Sequence, residues 1–232
     1  MGKRIIQQAR GKGGPAYRVN RKAYCHKIKF PMGEGEAEII KLIHFTGHTA
    51  PLMMFKLKDE IGYLPAFNGA TEGQKIMFGG KETKQGNILS IKNITPNTRI
   101  YNIERNPGDG GKMMRTAGCS ALLSKECGEN HFLLIMPNKK EIVLSGDCRA
   151  IIGVIAGSGR ISKPVITAGK KYYLMRTRGK LWPKTSAVKM NAVDHPFGSG
   201  RGKRIKSKIA KRNAPAGKRV GHIRPRQTGK RK

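Results

Sequence analysis

The stretch "HFLLIMPNKKEIVLS", residues 131–145, decides the fold. Two short runs rich in Leu, Ile, Val and Phe flank "PNKK" (137–140), and neither is long enough for a helix of ordinary length. The segment therefore reads as a β-hairpin turning at "PNKK". The same texture extends outward on both sides. Towards the start lie "AEIIKLIHF" (37–45), "LMMFKLK" (52–58), "KIMFG" (75–79), "NILSI" (87–91) and "RIYNIE" (99–104), and just beyond the hairpin lies "AIIGVI" (150–155). Thirty Gly and twelve Pro punctuate the chain so often that no window sustains the 3.6-residue apolar period of a helix. Short strands with turn signals every eight to twelve residues predict an all-β protein built of two small barrels in tandem.

A polar, glycine-rich seam, "GGKETKQGN" (79–87), separates the two strand groups and predicts barrels over 25–82 and 84–160. Residues 1–24 and 161–232 are then extensions. After Gly159 only isolated strand-like pieces remain, such as "KKYYLM" (170–175), and past His195 the apolar pattern is gone.

Charge separates these regions further. The 232 residues hold 47 Lys and Arg against 14 Asp and Glu, a formal charge of +33. Residues 1–33 carry nine basic and no acidic residues, 34–150 fifteen against thirteen, 151–194 nine against one, and 195–232 fourteen against none. The middle is an ordinary globular sequence, whereas both ends are polycations too poor in apolar residues to build a core, expected to order on a partner. Such a charge in a compact body calls for a polyanion, and nucleic acid is the leading one. Lys3, Arg4, Arg10, Lys12 and Arg18 at the start, Lys112 and Arg115 beside "GDGG", and Arg201, Lys203, Arg204, Lys206, Lys211 and Arg212 near the end are the candidate phosphate contacts.

Other classes find less support. Cys25, Cys119, Cys127 and Cys148 show no CxxC spacing, so they read as reduced thiols rather than a zinc site or a disulfide framework. The opening "MGKRIIQQAR" lacks the apolar core of a signal peptide, and no apolar run approaches the roughly 18 residues of a membrane span. No cofactor or metal is expected: His44 and His48 are the only histidines close in sequence, and they fall in a turn context. The glycine-rich pieces "GDGGK" (108–112), "GSGR" (157–160) and "GSGRGKR" (198–204) fit neither GxxxxGK[ST] nor GxGxxG. They suit instead a backbone whose N–H groups approach phosphates closely, or simply a turn.

Asp194 and His195 have the look of a general-base pair. Pro196 biases His195 to an extended backbone, where neighbouring side chains point apart, and no nucleophile is evident. The bland alternatives are a structural or RNA-contacting histidine. Tyr172, Tyr173, Trp182 and Phe197 stand among basic residues and could stack on unpaired bases or lie in a core. A metal-dependent RNA-processing enzyme centred on Asp194 and His195, and a free translation or chromatin factor, are the competing classes.

"MNAVDHPFGSGRG" (190–202) resembles the "MNPVDHP…GGG" signature of the family of the universal second protein of the large ribosomal subunit. The segments "NILSIKNITPNTRIYNIERNPGDGGKMMRTAG" (87–118) and "DCRAIIG" (147–153), the opening "MGKRI…RGKGGPAYR" and the closing "APAGKRVGHI" resemble their counterparts there, and "HPF" is similar to the archaeal branch. Ser186 and Ala187 depart from the family's usual Arg-Gly, Lys189 is an added charge, and Ala192 replaces the usual Pro. The resemblance implies an oligonucleotide-binding-type barrel followed by an SH3-like barrel, with both extensions buried in large-subunit rRNA. It implies a non-catalytic, cytoplasmic ribosomal component that supports subunit assembly, subunit association and the peptidyl-transferase region. Partners would be rRNA, other large-subunit proteins and the small subunit, with Asn191 and His195 as RNA contacts.

Overall fold

The computed structural model describes residues 2–200 and 209–224. Ten strands form one sheet: β1 Gly35–Ile43, β2 Leu52–Leu57, β3 Glu60–Pro65, β4 Lys75–Phe78, β5 Ile88–Ser90, β6 Arg99–Tyr101, β7 Ala121–Glu126, β8 His131–Ile135, β9 Glu141–Ser145 and β10 Arg149–Ile152. Their order is β3-β2-β1-β4-β5-β10-β6-β7-β8-β9, and every pairing is antiparallel except β4 with β5. The fold is all-β, with two short α-helices among the described residues, α1 Ile6–Gly11 and α2 Ala168–Thr177.

The hairpin at 131–145 forms as expected. Ile135 faces Glu141 across the pair, and Lys139 takes a left-handed conformation at φ 61°. Met136 and Lys139 close the turn, the amide of Met136 donating to the Lys140 carbonyl and that of Lys139 to the Met136 carbonyl, both at 2.9 Å. A left-handed third loop residue is the usual way a three-residue hairpin matches the twist of its strands.

Two apolar cores meet on opposite faces of shared strands. Phe30, Ile39, Met53, Phe55, Leu64, Ile76 and Phe78 belong to one, and Ile91, Ala121, Leu123 and Leu134 to the other. Along β5, Ile88 enters the first core and Leu89 the second; β6 divides Tyr101 from Ile100, and β10 divides Ile151 from Ile152 in the same way. Successive side chains of a strand point to opposite faces, so an unbroken apolar run such as "AII" is what a wall between two cores demands. The buried Tyr101 hydroxyl donates to the Pro65 carbonyl at 3.0 Å, and burial pushes that phenol's pKa well up. Residues 21–166 cluster as one compact unit, so the polar stretch 79–87 leads directly into the common wall.

The other unit draws on residues 1–20 and 167–232. Among its described residues Ile5 and Ala210 are the buried apolar side chains, and neither α1 nor α2 buries a residue. A backbone hydrogen bond from Lys3 to Val193, rather than an apolar core, joins the two segments among the described residues. Within the later segment, β11 Ile209–Ala210 and β12 His222–Ile223 form a two-residue parallel ladder.

One expectation is corrected here. "KKYYLM" (170–175) is not strand-like but lies within α2. The Thr167 hydroxyl accepts the Lys170 amide at 3.4 Å as an N-cap, and Gly179, at φ 60°, ends the helix with its amide on the Arg176 carbonyl. With no neighbouring strand to pair, the backbone satisfies itself locally.

Candidate nucleic-acid interface

The division into units sorts the charge. Residues 1–20 and 167–232 hold 26 of the 47 Lys and Arg but a single acidic residue, Asp194; residues 21–166 hold 21 basic and 13 acidic residues. A unit with so little internal compensation attracts anions over its whole surface.

The Asp-His segment is a series of turns rather than an extended chain. The Asn191 carbonyl accepts the amides of Asp194 (3.0 Å) and His195 (3.2 Å), the Gly198 amide donates to the His195 carbonyl (2.9 Å), and that of Ser199 to the Met190 carbonyl (3.1 Å). Gly198 lies so close beneath this turn that a Cβ there would sit 2.3 Å from the Asn191 carbonyl oxygen. Asp194 does not serve His195: its carboxylate faces Lys3 at 4.0 Å, and the imidazole Nδ1 accepts the Phe197 amide at 3.0 Å. With Nδ1 used as an acceptor, the proton of the neutral ring sits on Nε2, where it is available as a donor. The Phe197 ring packs edge-on at 5.1 Å and holds the imidazole plane. This arrangement suits a positioned hydrogen-bond donor and lacks the carboxylate that orients a general base.

His195 borders two clefts. One, of about 210 Å³, has Arg10 and Lys184 on its walls; the other, of about 600 Å³, has Lys3, Arg4 and Lys218. Residues far apart in the sequence are joined here by the Lys3 amide on the Val193 carbonyl (2.8 Å) and by Gln8, whose side chain meets Gly217. The structure thus brings Lys3, Arg4, Arg10 and His195 together, with Asn191 exposed at the foot of the turn. Lys12 is exposed at the end of α1, and Arg18 borders a separate cleft with α2. Lys211 is exposed, and Arg212 donates to the Arg224 carbonyl at 2.9 Å. Arg201, Lys203, Arg204 and Lys206 lie outside the described residues. Lys184 and Lys218 were not singled out from sequence, because only the folding of residues 2–10 onto the later segment gives them a cleft.

Lys112 and Arg115 belong to the 21–166 unit, and their glycine-rich loop is not a phosphate cradle. Its amides turn inward onto two carboxylates. Glu104, fully buried, accepts Gly108 (3.3 Å), Gly110 (2.9 Å) and Arg149 (2.9 Å) amides and pairs with the Arg149 guanidinium at 3.0 Å. Arg149 also donates to the Pro31 carbonyl at 2.7 Å and lies over the Phe30 ring. Asp109 accepts the amides of Arg105, Asn106 and Gly111. Partial burial pushes its carboxyl up, but the three amides and the Lys112 charge outweigh that and hold it below the ordinary carboxylate value. Lys112 points outward at 3.9 Å from Asp109, whereas Arg115 is half-buried, donates to the Gly111 carbonyl and has its pKa lowered by burial. Glu104 and Arg149 were missed as key residues. The available signal was a carboxylate ending an apolar run immediately before a loop rich in orphan amides.

His44 is exposed, and His48 stacks on Phe45 at 5.5 Å with its pKa lowered, first by burial and then by the charge of Arg115. All four cysteines are free thiols. No helix among the described residues is long and apolar enough to cross a membrane.

An all-β body carrying a nearly acid-free cationic unit with clefts, and a histidine fixed as a donor, has the make-up of a nucleic-acid-binding protein of structural type. Residues 84–217 match the family model described as Ribosomal Proteins L2, C-terminal domain. Over its whole length the chain is 41% identical to the large ribosomal subunit protein uL2 of Archaeoglobus fulgidus, covering all of that protein. It is also 41% identical to the uL2 of Korarchaeum cryptofilum, covering 97% of it, and 40% identical to that of Methanococcus maripaludis, covering all of it. The chain belongs to the uL2 family of large ribosomal subunit proteins.

Proposed function

We propose that this chain is a structural constituent of the large ribosomal subunit that binds rRNA and catalyses no reaction itself. The observation that carries this is the unit of residues 1–20 and 167–232, with 26 cations and one carboxylate, in a chain alike over its full length to proteins named for the large subunit. Lys3, Arg4, Arg10, Lys12, Arg18, Lys112, Arg115, Lys211 and Arg212 neutralise phosphates, as do Arg201, Lys203, Arg204 and Lys206; Asn191 and the Nε2 proton of His195 supply directed hydrogen bonds.

The two apolar cores support an oligonucleotide-binding-type barrel over 25–82 and an SH3-like barrel over 84–160, sharing strands rather than hanging on a linker. Residues 1–24 and 161–232 are the extensions that meet rRNA. In this reading the Asp-His turn supports the peptidyl-transferase region, other large-subunit proteins and the small subunit touch the remaining surface, and the protein works in cytoplasmic ribosomes.

Sedimentation of salt-washed subunits with quantitative mass spectrometry of the fractions tests the proposal. Near-stoichiometric chain in the large-subunit peak is expected. Recovery at the top of the gradient would make it an exchangeable factor and overturn the structural reading.

A further inference from the structure

The unit rich in cations has one cleft whose lining differs from the others. It measures about 510 Å³ and lies between residues 15–20 and one face of α2, lined by Arg18, Val19, Tyr173 and Arg176 among others. That volume falls within the ~300–1,000 Å³ typical of sites for single small ligands. Tyr173 and Arg176 stand three apart on the helix and so share a face.

Most aromatic candidates of this unit are already engaged. Trp182 has the Lys171 ammonium over its ring at 5.7 Å, Phe197 packs against His195, and Tyr172 packs edge-on against Tyr173 at 5.4 Å. Tyr173 shares that edge-on contact, but it is the member of the pair that lines the cleft and it remains 65% exposed. Arg18 is held by its Nε on the Gly13 carbonyl at 3.0 Å, which leaves the outer nitrogens of the fork to a ligand. The wall is fixed by Gly179: a Cβ there would meet the Tyr17 carbonyl oxygen at 2.8 Å, so the end of α2 is seated directly on residues 17–19. No carboxylate lines the cleft, and the unit's one acid, Asp194, faces Lys3.

We propose that this cleft binds one unpaired nucleotide of the bound RNA, its base stacked on Tyr173 and its phosphate between the guanidiniums of Arg18 and Arg176. The inference rests on the rRNA-binding function above and adds a ligand subsite to it. A paired nucleotide has no free face to offer the ring, whereas a bulged or looped one does, and guanidinium forks match phosphate oxygens in pairs. Stacking is tolerant of base identity, so a generic unpaired base suffices to test it.

The full-length protein is titrated at moderate salt with an RNA hairpin carrying one unpaired adenosine and with the same hairpin fully paired. Wild type should favour the bulged RNA, and Tyr173→Ala should weaken that complex roughly five- to a hundredfold while leaving the paired one unchanged. Tyr173→Phe should retain the preference, and Arg176→Gln should reduce it. Because α2 buries no residue, these variants keep the fold, which circular dichroism checks. Equal losses on both RNAs, or none, overturn the subsite. Strong, salt-dependent binding without preference by wild type overturns the subsite alone, while wild type failing to bind either hairpin overturns the RNA-binding reading with it.

Discussion

The amide of Lys3 donates to the carbonyl of Val193 at 2.8 Å, so the first segment of the chain is laid along the Asp-His turn. The accompanying ion pair between Lys3 and Asp194 is long, at 4.0 Å, with both side chains largely exposed. Exposed pairs of this kind contribute about 0–1 kcal/mol. Asp194→Asn should therefore leave stability nearly unchanged and, by removing the unit's only carboxylate, slightly tighten RNA binding in a filter-binding titration. A tenfold loss of affinity would show that Asp194 orients an RNA contact.

Within the same turn the glycine matters more than the histidine. His195→Ala removes an outward donor and also the acceptor of the Phe197 amide, so the fold should persist while local order weakens, at a cost of about 0.5–1.5 kcal/mol. Gly198→Ala forces a carbon against the Asn191 carbonyl and should cost about 1–3 kcal/mol of local stability. Amide hydrogen exchange over residues 190–199 distinguishes them: faster exchange throughout the turn in the glycine variant, and faster exchange confined to the Phe197 amide in the histidine variant. The reverse order would refute the geometry.

The fully buried Glu104 gathers the amides of Gly108, Gly110 and Arg149 and the partly buried Arg149 guanidinium. Glu104→Ala strands a guanidinium and several donors and should destabilise residues 21–166 by about 3–5 kcal/mol in urea unfolding. Adding Arg149→Met should recover part of that loss, since the uncompensated charge is gone. Additive losses would mean that the pair is not coupled.

Asp109 gives the pH dependence. Its folded value lies below that of the unfolded chain, so its contribution is full above the ordinary carboxylate range and disappears as pH falls through the folded value. Asp109→Ala should lower stability by about 1–2 kcal/mol at neutral pH. The gap to wild type should narrow once the solution is more acidic than about pH 4. A gap equal at both pH values would assign the effect to packing instead.

RNA affinity should fall steeply with salt. If roughly ten phosphates are neutralised, the log-log slope is about −7 to −9. Replacing Lys3, Arg4 and Arg10 together by Gln should make it shallower by about 2–3. A slope near zero would contradict phosphate neutralisation as the basis of binding.

The strands that could be read from sequence are those whose apolar runs are unbroken. β8 and β9 bracket "PNKK" where expected, and β2 and β4 fall inside their apolar runs. β3, "EIGYLP", was not read as a strand because Gly62 and Pro65 interrupt it and the turn before it, Lys58-Asp59, lacks the glycine that marks a hairpin. β7, "ALLSKE", was hidden by its polar second half, which lies exposed at the sheet surface. The cationic surface was legible from composition alone. Its assembly was not: nothing local in "MGKRIIQQAR" reports that Lys3 meets Val193, and nothing in "GDGGK" says that its amides turn inward, since both depend on partners distant in sequence.

The closure of residues 2–10 onto residues 190–196 and 215–218 also has a temporal consequence. Chains grow at about 5–20 residues per second, so the opening segment would wait on the order of 10–40 s before residue 193 is made. Through that interval residues 21–166 can fold into their two-core unit, while the early basic segment remains without the intramolecular partner that shapes its clefts. Full shape-specific grip on RNA is thereby deferred until synthesis is nearly done, and chaperoning of the first twenty residues would be needed most during that wait.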